Sequence, residues 1–439
     1  MSSLNPYPTY YPVRYDYVSQ LPEGWKLLPN IAIFQERIER GHEDEELLSV
    51  TIGRGVIKQS ELDKKDSSTL DKSKYLLVHP GDLVYSMRFR QGASGFSEYK
   101  GIVSPACTVL KPKKGTVINP KFFYYVFRTG FYKNYVERFS YGIADGQIPL
   151  RYLDFKRMYS IVPPLSTQNA IVAYLDRKTQ QIQEFIQKKE RLIELLENKR
   201  KTEIYRLTSK GVHSNVELKK TDIDWFGEIP KHWGFSKLKF IADHVSRGSS
   251  PEYVSEKGIP VISQAVFSSG FIDEEKYKFQ KKDKIEKFKG QLFPDDILIA
   301  STGGGVLGKS YLFQLNGEYI ADGHVTIIRD SKKRFFPEFL YYIFSINFHL
   351  IEGFLGQGST NQTELQREWL RNMRFPIPNF DEQKEIVSII KQLNNEIDKV
   401  ISKSLIEIEK AKEYQESLIT QVVIGQLKVP ELKKEALTL

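Results

Sequence analysis

Two stretches of the chain, residues 166–208 and 381–423, carry apolar residues at three- and four-residue steps with no proline and almost no glycine. The first stripe is Ile171, Leu175, Ile182, Phe185, Leu192 and Leu196; the second is Ile386, Leu393, Ile397, Ile401, Leu405 and Ile408. Glu, Lys and Gln fill the remaining faces, which predicts two long helices, each with an apolar seam. At 1.5 Å per residue, a helix of ~40 residues is about 60 Å long and cannot hide its own stripe. Two of similar length most simply pack on each other, antiparallel, as a coiled coil. The expected seam is Leu175, Ile182, Leu192, Leu196, Leu393, Ile397, Ile401 and Leu405. The alternative is that each helix packs on its own neighbouring globular domain. Gly211 and Gly425 mark the helix ends.

Outside these stretches, residues 20–160 and 225–375 are irregular and rich in aromatics, with short β-branched runs at 297–299 and 324–328. Residues 120–138 and 337–354 each read as a helix with proline near its first turn. Asn316-Gly317, between Tyr311–Leu315 and Glu318–Ile320, signals a hairpin. Order repeats at an offset of about 214 residues: Pro22-Glu23-Gly24-Trp25 and Pro230-Lys231-His232-Trp233, Pro80-Gly81-Asp82 and Pro294-Asp295-Asp296, Gln168 with Ile171 and Gln383 with Ile386. Ordered matches at near-constant spacing indicate a duplicated unit. The expected fold is α+β: two tandem globular domains (1–160 and 213–375) separated by two long antiparallel helices (161–212 and 376–430), with an approximate two-fold axis and a short tail (431–439).

Charge adds one inference. Lys and Arg total 64 against 55 Asp and Glu, a net +9, which permits a nucleic-acid partner. The single cysteine, Cys107, excludes an internal disulfide framework and points to a reducing, cytoplasmic location. Seven scattered histidines without metal-ligand spacing make a protein-built metal site unexpected. No apolar run approaches the ~18 residues a membrane span needs, so no membrane partner is expected.

Catalytic motifs fail on context. Residues 303–310 fit G-x-x-x-x-G-K-[ST], but a P-loop requires a helix to begin at the lysine, and 310–315 reads as a strand. Residues 354–358 fit F-x-G-x-G, a methyltransferase cofactor signature, yet follow a helix instead of a strand. No catalytic residue and no cofactor are assigned. What remains is polar decoration near predicted strand ends: Arg54, Arg88, Arg90 and Gln147 in the first copy, and Arg247, Ser249, Lys309, Gln357, Asn361 and Gln362 in the second. Arg reads guanine and Asn or Gln reads adenine through paired hydrogen bonds, while Lys meets phosphates. These ten are the candidate DNA-binding residues.

Over nearly its whole length the chain resembles the specificity subunit of type I restriction-modification systems. Asp224-Trp225-Phe226-Gly227-Glu228-Ile229-Pro230-Lys231-His232-Trp233 is similar to the W-x-G-E-I-P-x-x-W opening of that family's target recognition domains. The Pro-x-Asp motifs at 80–82 and 294–296, the glycine-rich turn at 303–309, and I-P-x-x-x-x-Q-x-x-I at 377–386 (less well kept at 162–171) are similar too. The first copy departs from the pattern: Ser166-Thr167 replaces the usual acidic residue before Gln168, and no W-x-G-E string precedes Trp25. The resemblance implies a non-catalytic subunit binding double-stranded DNA. Each globular domain would read half of a split, asymmetric target, and the helices would set the gap. Its partners would be two methyltransferase (M) subunits carrying S-adenosylmethionine and motor-endonuclease (R) subunits. Two rival classes remain: a stand-alone DNA-binding scaffold, and a P-loop ATPase with coiled-coil arms.

Overall fold

The computed structural model describes residues 4–15, 17–62, 71–139, 150–223, 226–255, 258–282, 290–303, 305–355 and 365–431, with backbone alone for 350–355. It divides into two units: Met1–Lys189 with Leu405–Leu439, and Glu190–Ser404. Each unit therefore contains part of both long helices, Leu165–Lys210 and Phe380–Val423.

In the first unit, Trp25 leads into the strand Lys26–Pro29, which pairs antiparallel with Tyr159–Val162, the strand that runs into the first long helix. An antiparallel four-stranded sheet follows in the order Phe34–Glu36, Cys107–Pro112, Leu83–Ser86, Ser94–Phe96. The expected helix at 120–138 is two helices, Pro120–Arg128 and Gly130–Glu137. Thr129 makes the break: it is extended, its hydroxyl donates to the Val126 carbonyl at 2.6 Å, and the same oxygen accepts from the Tyr132 N–H. A threonine that caps a new helix this way satisfies N–H groups an unbroken helix would bond itself. The core is aromatic, with Phe34, Phe122, Phe123, Phe127, Tyr132 and Phe155 nearly inaccessible. Leu175 joins it from the first long helix, and Leu418, Val422 and Val423 from the second.

The second unit repeats the plan. Gly234–Lys237 pairs with Arg374–Ile377, the strand before the second long helix. Its four-stranded sheet has the same order, His244–Arg247, Val325–Arg329, Ile297–Ala300, Ser310–Leu312, again antiparallel throughout. A five-stranded sheet built from residues 253–321 is added. Its strand Tyr319–Ala321 pairs with Ile259–Ile262 and Gln291–Leu292, whereas Ser310–Leu312 pairs with Ile297–Ala300. The chain at Asn316-Gly317 thus passes from one sheet to another, and the expected hairpin does not form. Ile204 and Leu207 of the first long helix and Ile386, Val387 and Ile390 of the second share this unit's core.

Both packing expectations for the helices hold in part. Each helix starts on the domain it leaves and finishes in the other unit's core. They run antiparallel: in the first unit Lys189 pairs with Glu407 at 2.6 Å while Leu175 shares a core with Val422, and in the second Arg200 pairs with Asp398 while Leu207 shares one with Ile386. Along the seam, Leu175 and Ile397 are buried, and Ile182, Leu192, Leu196, Leu393 and Ile401 are half-buried. Leu405 is corrected: it is 54% exposed, while Ser404 is 2% and Ile408 6% exposed. At about 100° per residue, Ser404 and Ile408 lie about 20° either side of Ile397, and Leu405 about 80° away. The same geometry moves Phe185 out of the stripe and puts Ile186 in its place.

Candidate nucleic-acid interface

The strand ends are fixed by buried carboxylates. Asp82 accepts from the Arg37 guanidinium at 2.8 and 3.1 Å and from the His79 N–H at 2.8 Å. Asp296, the matching aspartate of the second unit, accepts from Arg329 at 2.6 Å twice and from the Phe293 N–H at 2.8 Å. Arg37 follows an edge strand, whereas Arg329 ends an inner one. The Pro-x-Asp motif therefore builds a charge-assisted clamp that holds the turn before a central strand.

In the first unit, Arg54 sits in the turn between Leu48–Thr51 and Gly55–Lys58, exposed and 3.3 Å from Glu61. Arg88 and Arg90 follow the strand Leu83–Ser86; both are exposed, and Arg90 pairs with Glu137 at 2.8 Å. Exposed pairs of this kind hold a side chain by only about 0–1 kcal/mol, so a phosphate can displace them. Gln147, Gln357, Asn361 and Gln362 lie outside the described residues, as do Gly304, Asp224 and Trp225.

In the second unit the described candidates are structural. Arg247 donates to the Leu365 carbonyl at 3.1 Å, and Arg367 reaches back to the Val245 carbonyl at 2.9 Å, so two arginines fasten the segment 365–367 over the sheet edge. Lys309, expected to stand free for a phosphate, is half-buried and donates to the Ser268 carbonyl at 3.1 Å. Ser249 bridges Asp322 through its backbone, and its hydroxyl oxygen is buried without a hydrogen-bond partner among the described residues. Ser310–Leu312 is a strand, so no helix begins at Lys309 and the P-loop reading fails. Phe354 and Leu355 of the F-x-G-x-G string end the helix Pro337–Leu355 rather than a strand, and its other three residues lie outside the described residues.

Two groups carried no sequence signal. Thr302, beside the glycine-rich turn, bonds His324 Nδ1 at 2.9 Å and donates to Gln264 at 3.3 Å, a polar cluster on three separate segments in which His324 is exposed and the other two are half-buried. In the first unit, Arg128 lies 5.1 Å over the Tyr124 ring, donates to the Gly53 carbonyl, and lines a cleft of about 360 Å³ with Lys133 and Lys412. Among the described residues no group of His, Cys, Asp and Glu could hold a metal, and no helix is long and apolar enough to cross a membrane.

Similarities with known proteins accord with this duplicated plan. The model of the type I restriction modification DNA specificity domain matches residues 50–197 and 230–410. The chain is 24% identical over 367 residues to the type I restriction enzyme MjaVIII specificity subunit of Methanocaldococcus jannaschii, covering 82% of each. A chain from a structure on complex assembly and conformational transition of the type I R-M system superposes with a TM-score of 0.69 at 16% identity, over 93% of this chain and 99% of that one. The HsdS subunit from Thermoanaerobacter tengcongensis superposes with a TM-score of 0.55 at 15% identity, over 95% and 100%.

Proposed function

Because the chain belongs to the type I restriction-modification DNA specificity family, whose members recognise DNA sequence, we propose that it reads a bipartite, asymmetric target, one half-site per unit. The observation that carries this reading is the repeated sheet order with different decoration. Both units present the same four antiparallel strands, while the side chains at their ends differ: exposed, weakly paired arginines in the first, fastened arginines and a Thr-His-Gln cluster in the second. Different readers imply different half-sites. Two-headed DNA binders set half-site spacing by the distance between their heads, and here the two long helices fix the unread gap.

The subunit performs no chemistry in this reading. It docks two methyltransferase subunits, which must extrude an adenine from the duplex to methylate it, and through them the motor-endonuclease subunits. Exposed apolar side chains on the helices support docking: Phe185, Leu405, Ile406 and Tyr414 in the first unit, Leu195 and Val400 in the second. The test is methylation mapping of DNA in cells with and without the gene. A split methyladenine motif that disappears on deletion supports the reading, and a motif set that persists intact overturns it. Exchanging residues 20–160 for those of a relative should change one half-site only.

A further inference from the structure

A cavity of about 340 Å³ opens at one end of the first unit's four-stranded sheet, across the ends of three of its strands. Glu36, the last residue of the edge strand, lines it together with Tyr85, Met87, Tyr152, Arg40 and Arg151. Tyr85 is buried and Tyr152 half-buried, giving an aromatic floor; both arginines are exposed and stand at the rim. Three charges here are unspent. Among the described residues the Glu36 carboxylate has neither ion pair nor hydrogen-bond partner, although it is half-buried and burial raises it above the usual carboxylate range. Among the described residues, Arg40 and Arg151 have no acidic partner either. A half-buried carboxylate without a protein donor is partly stripped of water, and a donor brought into the cavity would complete its hydrogen bonding.

The corresponding place in the second unit is built differently. Matched through the ladders, Glu36 opposite Leu110 and Leu83 corresponds to Val245 opposite Ile328 and Ile297. Val245 is 3% exposed and carries no charge. The residue placed like Tyr152, seven positions before the closing strand, is Arg367, and it is bound to the Val245 carbonyl. The half-buried carboxylate is thus a feature of one unit, in the region where the two should differ if their half-sites differ.

We propose that this cavity reads one base of the first half-site, with Glu36 accepting a hydrogen bond from an exocyclic amino group and Arg40 and Arg151 holding the flanking phosphates. The inference rests on the proposed function and assigns the specificity residue within it. A carboxylate is repelled by the DNA backbone unless an amino donor meets it, and glutamate accepts from cytosine N4 in this way. Cytosine is accordingly the preferred base, with adenine N6 offering the same donor. The guanidiniums add affinity without sequence information.

The experiment uses the chain assembled with its methyltransferase subunits, comparing wild type with Glu36→Gln and Arg40→Gln. The readout is competition binding over duplexes in which each position of the wild-type motif is varied. Glu36→Gln is isosteric and should reduce discrimination at a single position of the first half-site by about tenfold or more, shifting preference toward adenine, since glutamine pairs with adenine N6 and N7. The second half-site should be unchanged. Arg40→Gln, at the exposed rim, should weaken binding to all sequences alike and flatten its salt dependence by about one phosphate contact. If the wild type prefers a split motif and Glu36→Gln keeps the same preference at every position, the cavity assignment is wrong and the proposed function stands. If the wild-type assembly shows no sequence preference, both fall.

Discussion

Gln168 and Gln383, in different units, make the same two hydrogen bonds. Gln168 accepts from the Asn119 N–H at 2.8 Å and donates to the Pro163 carbonyl at 2.8 Å. Gln383 accepts from the Phe336 N–H at 2.7 Å and donates to the Pro378 carbonyl at 2.9 Å. In each case the side chain leaves the first turn of a long helix and satisfies the residue before the proline that opens a helix of the globular domain. Both glutamines are about 1% exposed, so no water can replace them.

Replacing either glutamine with leucine should therefore leave a buried N–H and C=O unpaired, costing about 2 kcal/mol in each case. Denaturant titration of the two single variants measures this. A change within about 0.5 kcal/mol of zero, the range of ordinary surface substitutions, would show that the shared geometry is incidental.

The glycines that end the long helices should respond unequally to alanine. Gly211 (φ +74°) and Gly425 (φ +76°) are both in the left-handed region, which costs alanine about 1 kcal/mol. A Cβ on Gly425 would stand 2.6 Å from Pro22 Cγ, whereas one on Gly211 would stand 3.2 Å from the Trp233 ring. Gly425→Ala should lower the melting temperature more than Gly211→Ala; the reverse order would contradict the packing of the second helix's end on Pro22 and Trp25.

The seam makes a third contrast. Leu405→Ala removes an exposed side chain and should change stability by less than about 0.5 kcal/mol. Ile408→Ala, at a position 6% exposed, should cost about 2–4 kcal/mol. Thermal unfolding of the two variants distinguishes the observed seam from the expected one, for which Leu405 would be the costly site.

What the sequence conveyed, and what it did not, divides along physical lines. The long helices were legible because a 3.6-residue period persists over more than 40 positions. The duplication was legible because prolines, buried aspartates and the two glutamines do local work, which fixes them in order along the chain. Leu405 was misplaced because the seam position one residue earlier is Ser404, which carries no apolar signal, so the step of three or four from Ile401 fell on the leucine beside it. The Asn316-Gly317 hairpin failed because a turn signal says nothing of which strand the chain pairs with next. Glu36, Arg40 and Arg151 carried no signal, since strand pairing alone brings positions more than a hundred residues apart around one cavity. Lys309 was read as free because its partner, the Ser268 carbonyl, is a backbone atom with no sequence signature.

Cys107 should be a poor nucleophile. Burial pushes its thiol up to about 12, so at pH 8 the thiolate that reacts with alkylating agents is scarce. Native protein should label with iodoacetamide at least about a hundredfold more slowly than denatured protein, and the native rate should still be climbing with pH at pH 10. A plateau below pH 9 would mean the thiol is not held in an apolar setting.

A chain ending at Ser404 should lose the first unit and keep the second. It lacks Leu418, Val422 and Val423 from the first core and the turn at Gly425 that covers Trp25, but retains everything in Glu190–Ser404. Limited proteolysis should cut such a chain within residues 1–189 while 190–404 stays protected. Cleavage spread evenly over both would contradict the division into units.

That division sets an order of completion on the ribosome. Domains generally fold in the order they are synthesised, amino-terminal first. Here the second unit is a continuous segment and is complete once residue 404 has emerged. The first, although made earlier, waits for the carboxyl-terminal residues that finish its core and meet its amino terminus at the Asn5–Lys428 bridge. The nascent chain thus carries an unfinished amino-terminal half through most of its synthesis, with aromatic side chains exposed that the finished protein hides.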